Sequence, residues 1–100
     1  MVKHIVMWKL KDHANGADKH ENAKKMKSIL EALKDKIKEI KRLEVGINAK
    51  DSDGASDVVL YSEFESFEAL EAYIKHPEHI KAANFVGEIR SERRMVDYEV

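Results

Sequence analysis

The stretch DVVLYSEF, residues 57–64, is apolar on both of its faces. Side chains alternate along a strand, so Val58, Leu60 and Phe64 fall on one side and Val59 and Tyr61 on the other. Such a strand needs cover above and below, which places it inside a sheet. VKHIVMWKL, residues 2–10, reads the same way, with Val2, His4, Val6, Trp8 and Leu10 on one face and Ile5 and Met7 on the other. RLEVGINA (42–49) and ERRMVDYEV (92–100) also alternate. Each carries a more polar face, with Glu44 and Asn48 in the first and Asp97 and Glu99 in the second. These two read as edges.

Helical spacing fills the intervals. After a polar, turn-like DHANGAD, the residues Ala23, Met26, Ile29, Leu30, Leu33, Ile37 and Ile40 recur on one stripe and predict an amphipathic helix over about residues 19–40. Its other face carries opposite charges four apart, Glu21 with Lys25 and Lys27 with Glu31, and reads as solvated. The loop KDSDGAS, with an Asp-Gly turn, separates the second and third strands. Ser66 can cap a second helix by accepting from a first-turn amide. Phe67, Leu70, Tyr73 and Ile74 are then its buried stripe. Pro77 breaks the run, and a further helical piece carries Ile80, Ala83 and Val86 before Gly87.

The order β-α-β-β-α-β predicts an α+β, ferredoxin-like fold over residues 1–100, as one domain. Its four-stranded antiparallel sheet has spatial order 4-1-3-2 and helices on one face. The uncovered face then presents Ile5, Met7, Val59 and Tyr61 as one apolar patch. Soluble monomers rarely leave such a patch wet, and no further chain remains to cover it. A homodimer, sheet against sheet, is the economical expectation.

Composition narrows the function classes. The chain is 43% hydrophobic and 37% charged with a net charge of −1, which predicts a folded domain and gives no basic footprint for nucleic acid. It has no cysteine, hence no disulfide framework, zinc ribbon or thiol nucleophile. No apolar run reaches the length of a membrane span, and MVKHIVMWKL is too short and too charged for a signal peptide. A soluble, cytoplasmic protein with no membrane partner is expected.

Chemistry concentrates in AYIKHPEH, residues 72–79, around the only proline. Proline disfavours helix at His76 and suits the first position of a new helix, which puts His79 in that helix's first turn. The partial positive charge of a helix N-terminus opposes protonation, so His79 tends toward the neutral form that can take a proton. Tyr73, one turn back, could donate to an oxyanion or hold a carbonyl. Spacing alone favours a structural reading, with Tyr73 packed and both histidines at a helix start. Metal binding ranks below proton chemistry, because His76 and Glu78 do not share a helical face and no pair of histidines four apart occurs. His13 and His20 read as surface residues. His4 and Trp8 share a strand face, where a histidine is more often a hydrogen-bonded core residue unless a cavity lies beside it.

Taken together, KHIVMWKLKD, SEFESFEALEAYIKHPEHI and RRMVDYEV resemble the stress-responsive dimeric A/B barrel (Dabb) family over nearly the whole chain. The middle block is the specific part. The resemblance implies ferredoxin-like protomers paired through their sheets. In a plant polyketide cyclase of that family, which closes its product by an aldol condensation without a cofactor, the catalytic tyrosine and histidine match Tyr73 and His79. His79 would then be the general base, with Tyr73 holding the substrate carbonyl. The resemblance also implies a pocket between helices and sheet near His4, Trp8, Met26, Leu60, Ile74 and Phe85, with no metal. The chain departs from that enzyme at Val58, where it has a histidine, in the first helix, whose aromatics are replaced by ENAKKMKSIL, and near Arg93, where it is apolar. A different substrate follows.

Three readings result. The first is a stress-responsive A/B barrel homodimer of unassigned activity with a small-molecule pocket. The second is a cofactor-independent cyclase- or isomerase-like enzyme using His79 and Tyr73. The third, a monooxygenase-like or haem-degrading α+β barrel enzyme, ranks last because His76 and His79 alone make no haem-binding motif.

Overall fold

Alternation decides the sheet. In the computed structural model, which describes residues 1–100, β1 (Val2–Leu10) buries Val2, His4, Val6, Trp8 and Leu10 and turns Ile5 and Met7 away from them. The chain then makes a tight hairpin, β2 (His13–Ala14) and β3 (Ala17–Asp18). Asn15 and Gly16 turn it with φ of 52° and 74°. Two consecutive positive φ values are what a two-residue hairpin of the right twist needs, and Asn-Gly supplies them with little strain. The sequence reading predicts only a polar turn here.

Helix α1 (Lys19–Lys36) starts where Asp18 accepts from the Glu21 amide at 2.8 Å. Met26, Leu30 and Leu33 form its buried stripe. It stops four residues short of the expected end. Ile37 is already extended, at φ −125° and ψ 108°, and its amide makes the last helical bond to the Leu33 carbonyl. Ile37 and Ile40 nevertheless stay in the core. A reversing chain can bury both, and β-branched side chains suit extended backbone. The reversal delivers the Lys41 amide to the Glu63 carbonyl at 2.9 Å, at the start of the next strand pairing.

Strands β4 (Arg42–Ile47) and β5 (Val58–Phe64) follow, then α2 (Phe67–Lys75), α3 (Pro77–Ile89) and β6 (Arg90–Glu99). The main sheet is antiparallel with order β4-β5-β1-β6, so the two doubly apolar strands are central, as alternation predicts. On the helix face, Val45, Val58, Leu60, Phe64 and the inward residues of β1 join the helices in one hydrophobic core. The opposite face carries Ile5 beside Tyr61 and Val96, and Met7 beside Val59. Met7 and Val96 are 42% and 49% exposed.

The second helical region buries less than its pattern suggests. Ser66 caps α2, accepting from the Ala69 amide at 3.1 Å. Leu70 and Tyr73 are buried, but Phe67 and Ile74 are exposed. A helix this short, ended by Pro77, presents one turn to the core. In α3 the buried residues are Ala82, Val86 and Ile89, with Ile80 exposed. The break at Pro77 resets the helical phase, so apolar spacing does not carry across it. The helix also runs through Gly87 to Ile89, which is fully buried.

Candidate functional site

The joint between α2 and α3 builds the site. Proline has no amide hydrogen, so α2 cannot run on regularly past His76. His76 is extended and its Nδ1 accepts from the Glu78 amide at 3.1 Å, capping α3. That amide is the one a continuous helix would give to the Ile74 carbonyl. The carbonyl is thereby left for the His79 ring, whose Nδ1 lies 3.0 Å away. A carbonyl only accepts, so Nδ1 of neutral His79 carries the hydrogen and Nε2 keeps its lone pair.

The neutral His79 ring therefore has a fixed tautomer. Burial is the largest influence on it and pushes its pKa below the ordinary histidine value, helped by the neighbouring His4, Arg93 and His76. The hydrogen bond to Ile74 pulls the other way. Sequence reasoning reaches the same neutral state through the helix N-terminus, whereas in the folded protein desolvation leads.

Tyr73 packs against this ring at a tilt of 55°, with centroids 4.5 Å apart. Phe64 at 5.0 Å and His4 at 6.2 Å complete an aromatic cluster around the phenol. Burial raises the Tyr73 hydroxyl to about 12, opposed only by the charge of Arg93. It stays a neutral donor at physiological pH. His4 is buried on β1, and its Nδ1 pairs with the Asp97 carboxylate directly across on β6. That contact holds the ring in place.

His4, Trp8, Leu60, Tyr73 and His79 line one hollow of about 220 Å³, together with Val6, Leu30, Ala83, Val86, Arg90 and Arg93. Met26, Ile74 and Phe85 do not line it. Met26 sits fully in the core under α1, because a turn later Leu30 is the residue that reaches the hollow. Ile74 turns its side chain outward and contributes its carbonyl. Phe85 faces a separate groove between α1 and α3. His13 and His20 are exposed, as expected.

Sequence reasoning does not bring in Asp97 or Arg90, and it meets Arg93 only as a departure from a resemblance. The signal for Asp97 and Arg93 is strand register: β6 pairs with β1 so that Asp97 faces His4 and Arg93 faces Trp8. Chemically, the hollow offers a neutral base, a phenolic donor beside it and a held second histidine. Together these suit proton transfer next to a carbonyl.

Comparison with known proteins agrees with the architecture. A dimeric protein of unknown function and ferredoxin-like fold from Bacteroides fragilis is 36% identical, with TM-score 0.84, over 99% of this chain and 95% of that one. A protein from Arabidopsis thaliana is 25% identical, with TM-score 0.81, over 100% of this chain and 95% of that one. A hydroxynitrile lyase from Passiflora edulis shares the fold at 16% identity and TM-score 0.82, covering 99% of this chain and 92% of its own. No curated protein matches the chain. No helix is long and apolar enough to cross a membrane. The family profile of the stress-responsive A/B barrel domain matches residues 2–100, and the chain belongs to that family.

Proposed function

We propose that residues 1–100 act as one cytoplasmic domain, a cofactor-independent enzyme that moves a proton beside a substrate carbonyl, as a cyclase or isomerase does. His79 Nε2 takes the proton from carbon, and the Tyr73 hydroxyl donates to the carbonyl oxygen as negative charge develops there. The observation that carries this reading is the His79–Ile74 hydrogen bond, which fixes the proton on Nδ1 and leaves Nε2 basic beside the phenol of Tyr73. His4, Trp8 and Leu60 shape the hollow around the substrate. Positioned acid–base groups of this kind contribute roughly 10²–10⁴-fold to rate.

The working unit in this proposal is a homodimer closed through the outer sheet face. Ile5, Met7, Val59 and Tyr61 form its centre, with Val96 and Tyr98 extending the patch. The Bacteroides fragilis relative is described as dimeric, which supports this unit. Sedimentation in dilute solution tests it, and a stable monomer would refute it. For the chemistry, a metabolite library is screened by thermal shift. Binders with a carbonyl are then followed for solvent deuterium uptake at the adjacent carbon. Wild-type protein should exchange that hydrogen, and His79→Ala should stay folded and lose at least about 100-fold of the exchange. Exchange at equal rates in both proteins would refute the role of His79.

A further inference from the structure

We propose that the hollow binds a small organic anion, its carboxylate held by Arg93 and Arg90 and its carbonyl end turned toward Tyr73 and His79. The placement of the carbonyl end rests on the proton-transfer reading above. The anion site stands on separate observations.

The first is charge. Arg90 and Arg93 are among the residues lining the hollow, and no acidic residue is. The surrounding acids are engaged elsewhere. Glu92 pairs with Arg94 at 3.8 Å, Glu88 accepts from Asn15 at 2.9 Å, and Asp97 is bound to His4. The side-chain hydrogen bond of Arg93 goes to the Met95 sulfur at 3.5 Å, a weak acceptor. An arginine fork matches a carboxylate with two parallel hydrogen bonds.

The second is an orphaned donor. Trp8 lines the hollow and is 6% exposed, yet its indole Nε1 has no hydrogen-bond partner. Arg93 stands directly across from Trp8 on β6, and cross-strand partners share a face. A ligand oxygen between them would serve both groups. Size sets the scale of the ligand. At about 220 Å³ the hollow is smaller than the ~300–1,000 Å³ of drug-sized sites, so it suits a short-chain or one-ring carboxylate.

Benzoate and its neutral isostere benzamide test the inference, titrated into the full chain while the Trp8 indole N–H is followed by NMR. Benzoate should shift that resonance and bind roughly 10- to 100-fold tighter than benzamide, the range expected of a charge-assisted pair. Arg93→Gln, a change at an exposed position, should remove that preference and leave benzamide unchanged. His79→Ala should keep the preference for benzoate over benzamide. Equal affinities for the two probes, an unmoved indole, or full benzoate binding by Arg93→Gln would overturn the anion site. Absence of deuterium exchange in the wild-type protein, with Arg93-dependent benzoate binding intact, would overturn the proton-transfer reading alone.

Discussion

Replacing Tyr73 with phenylalanine separates a packed tyrosine from a working one. The ring is buried among His4, Phe64 and His79, and phenylalanine preserves that packing. What is lost is a hydroxyl whose raised pKa has desolvation as its cause, with no hydrogen bond contributing. That hydroxyl belongs to a residue lining the hollow, has no protein partner and is not sealed from solvent, so its removal breaks no internal hydrogen bond, which would be worth about 1 kcal/mol. Tyr73→Phe should therefore leave stability unchanged or raise it by up to about 1 kcal/mol, a rise in Tm of up to about 4–8 °C for a domain this size. Deuterium exchange in a carbonyl ligand should fall by roughly 10²–10³, the usual loss of one oxyanion donor.

Alkaline pH gives a second readout. The folded-state pKa moves from 10.0 to about 12, so Tyr73 favours the fold below pH 10 and loses that contribution as pH rises toward 12. A displacement of that size corresponds to roughly 3 kcal/mol. Denaturant unfolding of wild type should show that slope, and Tyr73→Phe should lack it. A variant destabilised by more than about 1 kcal/mol at neutral pH would refute the reasoning, because the hydroxyl would then be holding the fold.

Further outcomes follow from neighbouring groups. The pKa of His79 is depressed by burial, so the unfolded chain binds its proton more readily and stability falls as pH drops below about 6.5. Acid unfolding of His79→Ala should be less pH-dependent there. Gly87 lies inside α3, where a methyl group meets no atom within 4 Å. Gly87→Ala should raise stability by about 0.5–1 kcal/mol in thermal unfolding. Asp97→Ala removes the acceptor of buried His4 and should destabilise by about 1–3 kcal/mol, measured by denaturant titration.

The sheet was legible because alternation is local and its two faces differ in what they need. Val58 to Phe64 and Val2 to Leu10 announce central strands without any knowledge of their partners. The site was legible as far as residues near one proline could carry it: His76, His79 and Tyr73 are one joint in both sequence and space. Asp97, Arg90 and Arg93 come from a strand more than ninety residues from His4 at its far end. Only antiparallel register says which of them face the hollow. Phase explains the remaining differences. Ile80 continues the apolar spacing of α2, yet Pro77 starts α3 on a new rotation. Met26 and Leu30 are one turn apart on the same stripe, and only the seating of α1 on the sheet decides which reaches the hollow.

The state of the His79 imidazole is the point on which the catalytic reading turns, and nitrogen-detected NMR across a pH titration observes it directly. A neutral ring protonated on Nδ1, persisting below pH 6.5, is the predicted result. A hydrogen on Nε2, or a pKa at or above the ordinary histidine value, would contradict it.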